Sequence, residues 1–66
     1  MYNKNKLIGV IYERGLTGAK IAKEIGTSQR TFYRKLESGK WSRKDIDSIS
    51  TVVQLDADAI KNIFFA

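Results

Sequence analysis

A single all-α domain, a five-helix orthogonal bundle, is the fold class that this 66-residue sequence predicts. Three observations predict it. Apolar residues recur at three- and four-residue spacing, without the alternation of a half-buried strand. Glycines at positions 15, 18, 26 and 39 divide the chain into segments of helical length. There is no proline, no repeat and no low-complexity tract. The length allows one domain at most, so residues 1–66 are read as one unit.

The first helix is expected in KNKLIGVIYERG. Leu7, Ile11 and the flanking Ile8 and Val10 form its apolar face, and Gly15 after Arg14 stops it. Gly9 weakens this helix by up to about 1 kcal/mol relative to alanine unless close packing needs it. In LTGAKIAKEIG, Thr17 is the N-cap and Ile21, Ala22 and Ile25 share a face. Gly26 ends this second helix in a left-handed conformation. The third runs from its cap at Ser28 to Glu37 or Ser38, with Gly39 beyond. The fourth, in WSRKDIDSISTVVQ, opens on a capping box of Ser42 with Asp45. Ile46, Ile49, Val52 and Val53 are its buried stripe. STVVQL is β-prone but continues that stripe, so it is read as helix. In LDADAIKNIFFA, Asp56 caps a fifth helix, Asp58 suits its dipole, and Ile60, Ile63 and Phe64 face inward.

A domain of this size buries only about 60% of its unfolded surface. With no cysteine and no histidine, neither a disulfide nor a usual zinc site can help. No cofactor, metal or small-molecule substrate is called for. The same lack leaves no constellation for catalysis, and a non-enzyme is expected. No apolar run approaches the roughly 18 residues of a membrane span. No apolar signal core follows MYNKNKL, so a cytoplasmic protein is expected.

Charge is unevenly placed. The chain carries +5, but residues 1–44 hold eleven of the twelve basic residues against three acids, a net of +8. Residues 45–66 hold Lys61 against four aspartates, a net of −3. Such asymmetry suits an anionic partner, although a solvated surface that keeps a small protein in solution has the same composition.

The second and third helices, joined through IGTS, form a tight helix–turn–helix. Ala22 is small where the helices cross, and Gly26 permits the turn. At about 100° per residue, Phe32 and Leu36 fall on one face of the third helix, and Arg30 and Arg34 on the opposite one. Gln29 lies in the first turn. Arginine forms two hydrogen bonds to guanine and glutamine two to adenine, so Gln29, Arg30 and Arg34 are candidate base readers. Basic residues elsewhere would serve phosphates.

IAKEIGTSQRTFYRKLESGKW, followed by DIDSISTVVQLDADAIKNIFF, resembles the Cro/repressor-type (XRE) helix–turn–helix family, in particular short phage-type regulators of Gram-positive hosts. The likeness covers roughly residues 4–65. It implies a homodimeric, Cro-like bacteriophage repressor of transcription, bound to the bacterial nucleoid at a palindromic double-stranded operator. The segment of about 28–37 would be the recognition helix in the major groove. It also implies base contacts from Gln29, Arg30, Arg34 and Tyr33. Phosphate contacts would come from Thr17, Gly18, Lys20, Ser28, Thr31, Lys35, Lys40 and Arg43. One departure is Gly18, where the family commonly has a glutamine that contacts phosphate and braces the reading residues. Backbone N–H groups or Lys20 would have to take its place.

Several residues keep two roles open. Trp41 either fills the joint between the third and fourth helices, the preferred role, or stacks on a sugar–phosphate edge. Tyr33 either meets DNA or is plain surface. Tyr2 and Tyr12 are expected as partial-core residues. Adjacent Phe64 and Phe65 cannot both be buried by one helix, so Phe65, with Ile63, is the candidate dimer contact. A second function class also stays open: a protein-interaction module, antitoxin-like or a modulator of another repressor, gripping its partner with the acidic, aromatic tail.

Overall fold

Five α-helices make up the chain in the computed structural model, which describes residues 1–65. They are α1 (Lys4–Glu13), α2 (Gly18–Ile25), α3 (Gln29–Ser38), α4 (Arg43–Val53) and α5 (Ala57–Ile60). A π-helical turn, Lys61–Phe65, continues α5. No strand occurs among the described residues. Nor is any helix among the described residues long and apolar enough to cross a membrane.

Every helix starts on a side-chain cap. The Asn3, Thr17 and Ser28 side chains accept the N–H of Lys6, Lys20 and Thr31, each at 3.1 Å. Asp56 does the same for Ala59 at 2.8 Å. Each cap satisfies a backbone donor that has no partner inside its helix. Ser42 and Asp45 form the expected reciprocal box: Ser42 Oγ accepts Asp45 N–H at 3.0 Å, and the Asp45 carboxylate accepts Ser42 N–H at 3.1 Å.

The helix stops are local too. Gly26 has a φ of 78°, and beyond it Thr27 N–H donates to the Ala22 carbonyl at 2.9 Å. Gly26 N–H donates to Lys23 O at 3.3 Å, which completes a paired stop that shields two end carbonyls. α4 ends without a glycine: Gln54 itself takes a left-handed φ of 60°. Arg14 donates to the Gln54 carbonyl at 3.3 Å, joining the ends of α1 and α4.

The core draws two residues from each long helix: Leu7 and Ile11, Ile21 and Ala22, Phe32 and Leu36, Ile49 and Val53. Ile63 and Phe64 of the last turn close it. Val10, Ile25, Ile46, Val52 and Ile60 pack around its edge, half-buried. Two sequence expectations for α1 are corrected. Ile8 is exposed, and Tyr12 is 85% exposed instead of partly buried. Each follows a core residue by one position, about 100° around the helix. Ile8 and Tyr12 therefore form a second stripe that faces outward. Gly9 has open space where a Cβ would stand, so close packing does not explain it.

The fifth segment also departs from expectation. It is one α-turn followed by the wider π-turn, not a continuous α-helix. Asn3 N–H donates to the Ile63 carbonyl at 2.6 Å, tying the chain's start to this turn. Ile63 is fully buried, so it has no surface to offer a second copy, and its expected dimer role is withdrawn. Phe65 is left 64% exposed beside buried Phe64, as the adjacency of the two rings required.

Candidate nucleic-acid interface

The outer face of α3 is set by what its inner face buries. Phe32 is fully buried and Leu36 nearly so, which fixes the helix's rotation about its own axis. Gln29, Arg30 and Arg34 are then all exposed. Neither arginine side chain forms an ion pair or a hydrogen bond among the described residues. Ser28 Oγ both caps Thr31 N–H and donates to Thr31 Oγ1 at 2.8 Å. Thr31 is half-buried, and its own hydroxyl hydrogen stays available.

The expected phosphate-facing lysines divide in two. Lys20 and Lys40 are exposed and unpaired among the described residues, as is Arg43. Lys35 is instead committed inside the fold. Its Nζ sits 2.8 Å from Asp45 Oδ2, with both side chains two-thirds or more buried. Burial pushes the Asp45 carboxyl up. Hydrogen bonds from Lys35, Ser42 N–H and the Ser42 hydroxyl, with the lysine's charge, outweigh this and hold it below the ordinary carboxylate range. The same carboxylate thus caps α4 and locks it to α3. Lys4 pairs with Glu37 at 2.8 Å on the surface, a contact worth about 0–1 kcal/mol.

At the start of α2, Thr17 Oγ1 is used as the cap, and Gly18 is half-buried. The reason for burial is Tyr33. A Cβ at Gly18 would stand 2.5 Å from Tyr33 Cζ and 2.8 Å from Cε1. The tyrosine ring therefore lies over the first turn of α2. It also packs edge-on against Phe32, with centroids 5.9 Å apart at 69°. Its exposed fraction is 42%, so it is a surface ring with two fixed sides.

The far end of α3 is held by residues that local pattern does not reveal. The Tyr2 hydroxyl donates to the Leu36 carbonyl at 2.9 Å, across 34 positions of sequence. Its ring lies on Gly39, where a Cβ would come within 2.7 Å of Tyr2 Cδ2. The ring also stacks on Phe64 at 6.1 Å and meets Trp41 edge-on at 6.1 Å. Trp41 in turn touches Phe32 and Phe64, the packing role preferred from sequence. Burial raises the Tyr2 hydroxyl above its ordinary pKa, and the charge of Glu37 adds to it. The Trp41 Nε1–H is buried without a hydrogen-bond partner among the described residues. Sequence reasoning placed Tyr2 only as a partial-core residue and missed this role.

Phe65 lines an open cleft with Trp41, Arg43, Ile46, Asp47 and Ile60. Arg43, expected at phosphate, and Phe65, expected between copies, therefore share one surface depression. No group of His, Cys, Asp or Glu among the described residues could hold a metal ion. No family model, no curated protein and no solved structure matches this chain.

Proposed function

We propose that this protein is a sequence-specific regulator that binds double-stranded DNA, with α2 and α3 as a helix–turn–helix and α3 in the major groove. One observation carries the reading. Gln29, Arg30 and Arg34 stand exposed on α3, with neither arginine in an ion pair among the described residues, while Phe32 and Leu36 anchor the opposite face. Lys35, which pairs with Asp45, lies off that face and holds the helix in place.

Lys20, Lys40 and Arg43 supply positive charge for phosphates. Lys35 is withdrawn from that set by Asp45. The backbone N–H groups at the first turn of α2 add donors without a helical partner. The resemblance to Cro-type phage regulators favours a repressor acting as a dimer at a palindrome, and exposed Phe65 is the candidate contact between copies.

Selection of bound DNA from a random pool tests the reading. A palindromic consensus with half-sites about 10 base pairs apart supports it. No enrichment over the input pool overturns it. Within a selected operator, Arg34→Ala is expected to cost about 1–3 kcal/mol at particular base pairs. Lys40→Ala should weaken all sequences alike and flatten the salt dependence by about 0.9 in log–log slope. A protein-interaction role retains support from exposed Phe65 and Tyr12. It would be favoured by DNA shifts that appear only when a second protein is added.

A further inference from the structure

We infer that Tyr33 is a positioning residue: its ring, seated on Gly18, holds Gln29 in its base-reading pose. This rests on the DNA-binding reading above and sharpens it.

Glycine is a poor residue at the start of α2. It is a weak helix former, and this glycine has no left-handed backbone that would call for it. Its reason is steric. A Cβ at position 18 would meet the hydroxyl end of the Tyr33 side chain, the hydroxyl first, then Cζ at 2.5 Å and Cε1 at 2.8 Å. The ring cannot move inward, because Phe32 packs edge-on against it and is itself fully buried. Gly18 and Phe32 thus fix the ring from two sides.

Gln29 is four positions before Tyr33 on α3, so the two share a helix face. Side chains on a helix lean toward its N-terminus, which carries the Tyr33 ring over the turn that holds Gln29. The Gln29 side chain is exposed and makes no hydrogen bond among the described residues. On this inference the ring, one turn along the same face, is the wall that restricts it. The space in which a residue at position 18 could have steadied Gln29 from α2 is filled from α3 instead. Tyr33 therefore acts through Gln29, and not as a reader in its own right.

The test uses the full chain and its selected operator. The base pair read by Gln29 is first found as the one whose preference Gln29→Ala abolishes. Tyr33→Ala is then expected to lower preference at that base pair about tenfold, within the range of a lost bidentate contact. Preference at the Arg34-dependent base pair should stay unchanged. Tyr33→Phe keeps the ring and should keep the preference. Gly18→Ala should dislodge the ring and reproduce the tenfold loss at that base pair, again sparing the Arg34-dependent one. A purely structural role could not give that split.

Survival of the Gln29-dependent preference in Tyr33→Ala, to within twofold, overturns the inference alone. So does equal weakening at every base pair, or a loss in Tyr33→Phe matching that in Tyr33→Ala, which would make the hydroxyl a direct contact. An unsubstituted protein with no base preference overturns the DNA reading itself, before any variant is made.

Discussion

Two glycines with nearly the same backbone should respond very differently to alanine. Gly26 and Gly39 both end helices in the left-handed region, at φ of 78° and 73°. A Cβ at Gly26 would meet nothing within 4 Å. Gly26→Ala is therefore expected to cost only the left-handed penalty, about 1–2 kcal/mol. At Gly39 the same penalty applies, and the new Cβ would also stand 2.7, 3.2 and 3.3 Å from Tyr2 Cδ2, Cγ and Cβ. Those atoms are the root of the side chain, so the whole ring must swing away. The Tyr2 hydroxyl then leaves the Leu36 carbonyl, a loss of about 0.5–1.5 kcal/mol. Part of its packing with Trp41 and Phe64 is lost as well, at about 0.5–1.5 kcal/mol per aromatic pair. Gly39→Ala should thus exceed Gly26→Ala by about 1–3 kcal/mol, against a total stability of about 3–10 kcal/mol for a chain of this length. Urea unfolding followed by the fluorescence of Trp41, the single tryptophan, measures both variants. In a Tyr2→Ala background the excess at Gly39 should vanish. Equal costs at the two glycines, within about 0.5 kcal/mol, would refute the packing of Tyr2 on Gly39.

Gly9 lies in open space within α1, so Gly9→Ala should stabilise the protein by up to about 1 kcal/mol, seen as a higher urea midpoint. The lowered Asp45 pKa makes its contribution complete above the ordinary carboxylate pKa of about 4, and lost as pH falls through the lower folded value. The stability gap between the native chain and Asp45→Asn should accordingly close in acid; a gap unchanged down to about pH 2 contradicts the Lys35–Asp45 lock. Tyr2 behaves in the opposite sense. Its raised pKa leaves its contribution intact below about pH 10, and it is lost as pH rises through the folded value, a loss that Tyr2→Phe should not show. Phe65→Ala removes the exposed ring while leaving Phe64 in place; sedimentation should show a lower mass on DNA, and an unchanged mass with unchanged operator affinity would sink the dimer contact.

Much of the local architecture was legible because its causes lie within a few residues. Thr17, Ser28, Ser42 and Asp56 each cap the N–H three positions on, so hydroxyl and carboxylate residues beside a periodic stretch were enough to place four helix starts. Phe32 and Leu36 were readable as an inner face because their spacing matches the helical repeat. Where the apolar pattern was broader than the core, the sequence overreached. Ile8 and Tyr12 belong to a stripe left exposed, and hydrophobicity alone does not say which of two adjacent stripes meets a neighbour. Gln54 ends α4 in a conformation that its residue type does not announce.

By itself the sequence determined the all-α class, the caps and glycine stops, and the outward direction of Gln29, Arg30 and Arg34. These follow from backbone geometry over one or two turns. Only the tertiary structure decided which cations are free, because Lys35 meets its aspartate ten positions away, on another helix. It also decided what holds α3 at each end. Tyr2 reaches Leu36 across 34 positions, and the Tyr33 ring fills the space over Gly18. Such contacts depend on how helices cross, and crossing is set by the volume of the shared core, which no local pattern encodes.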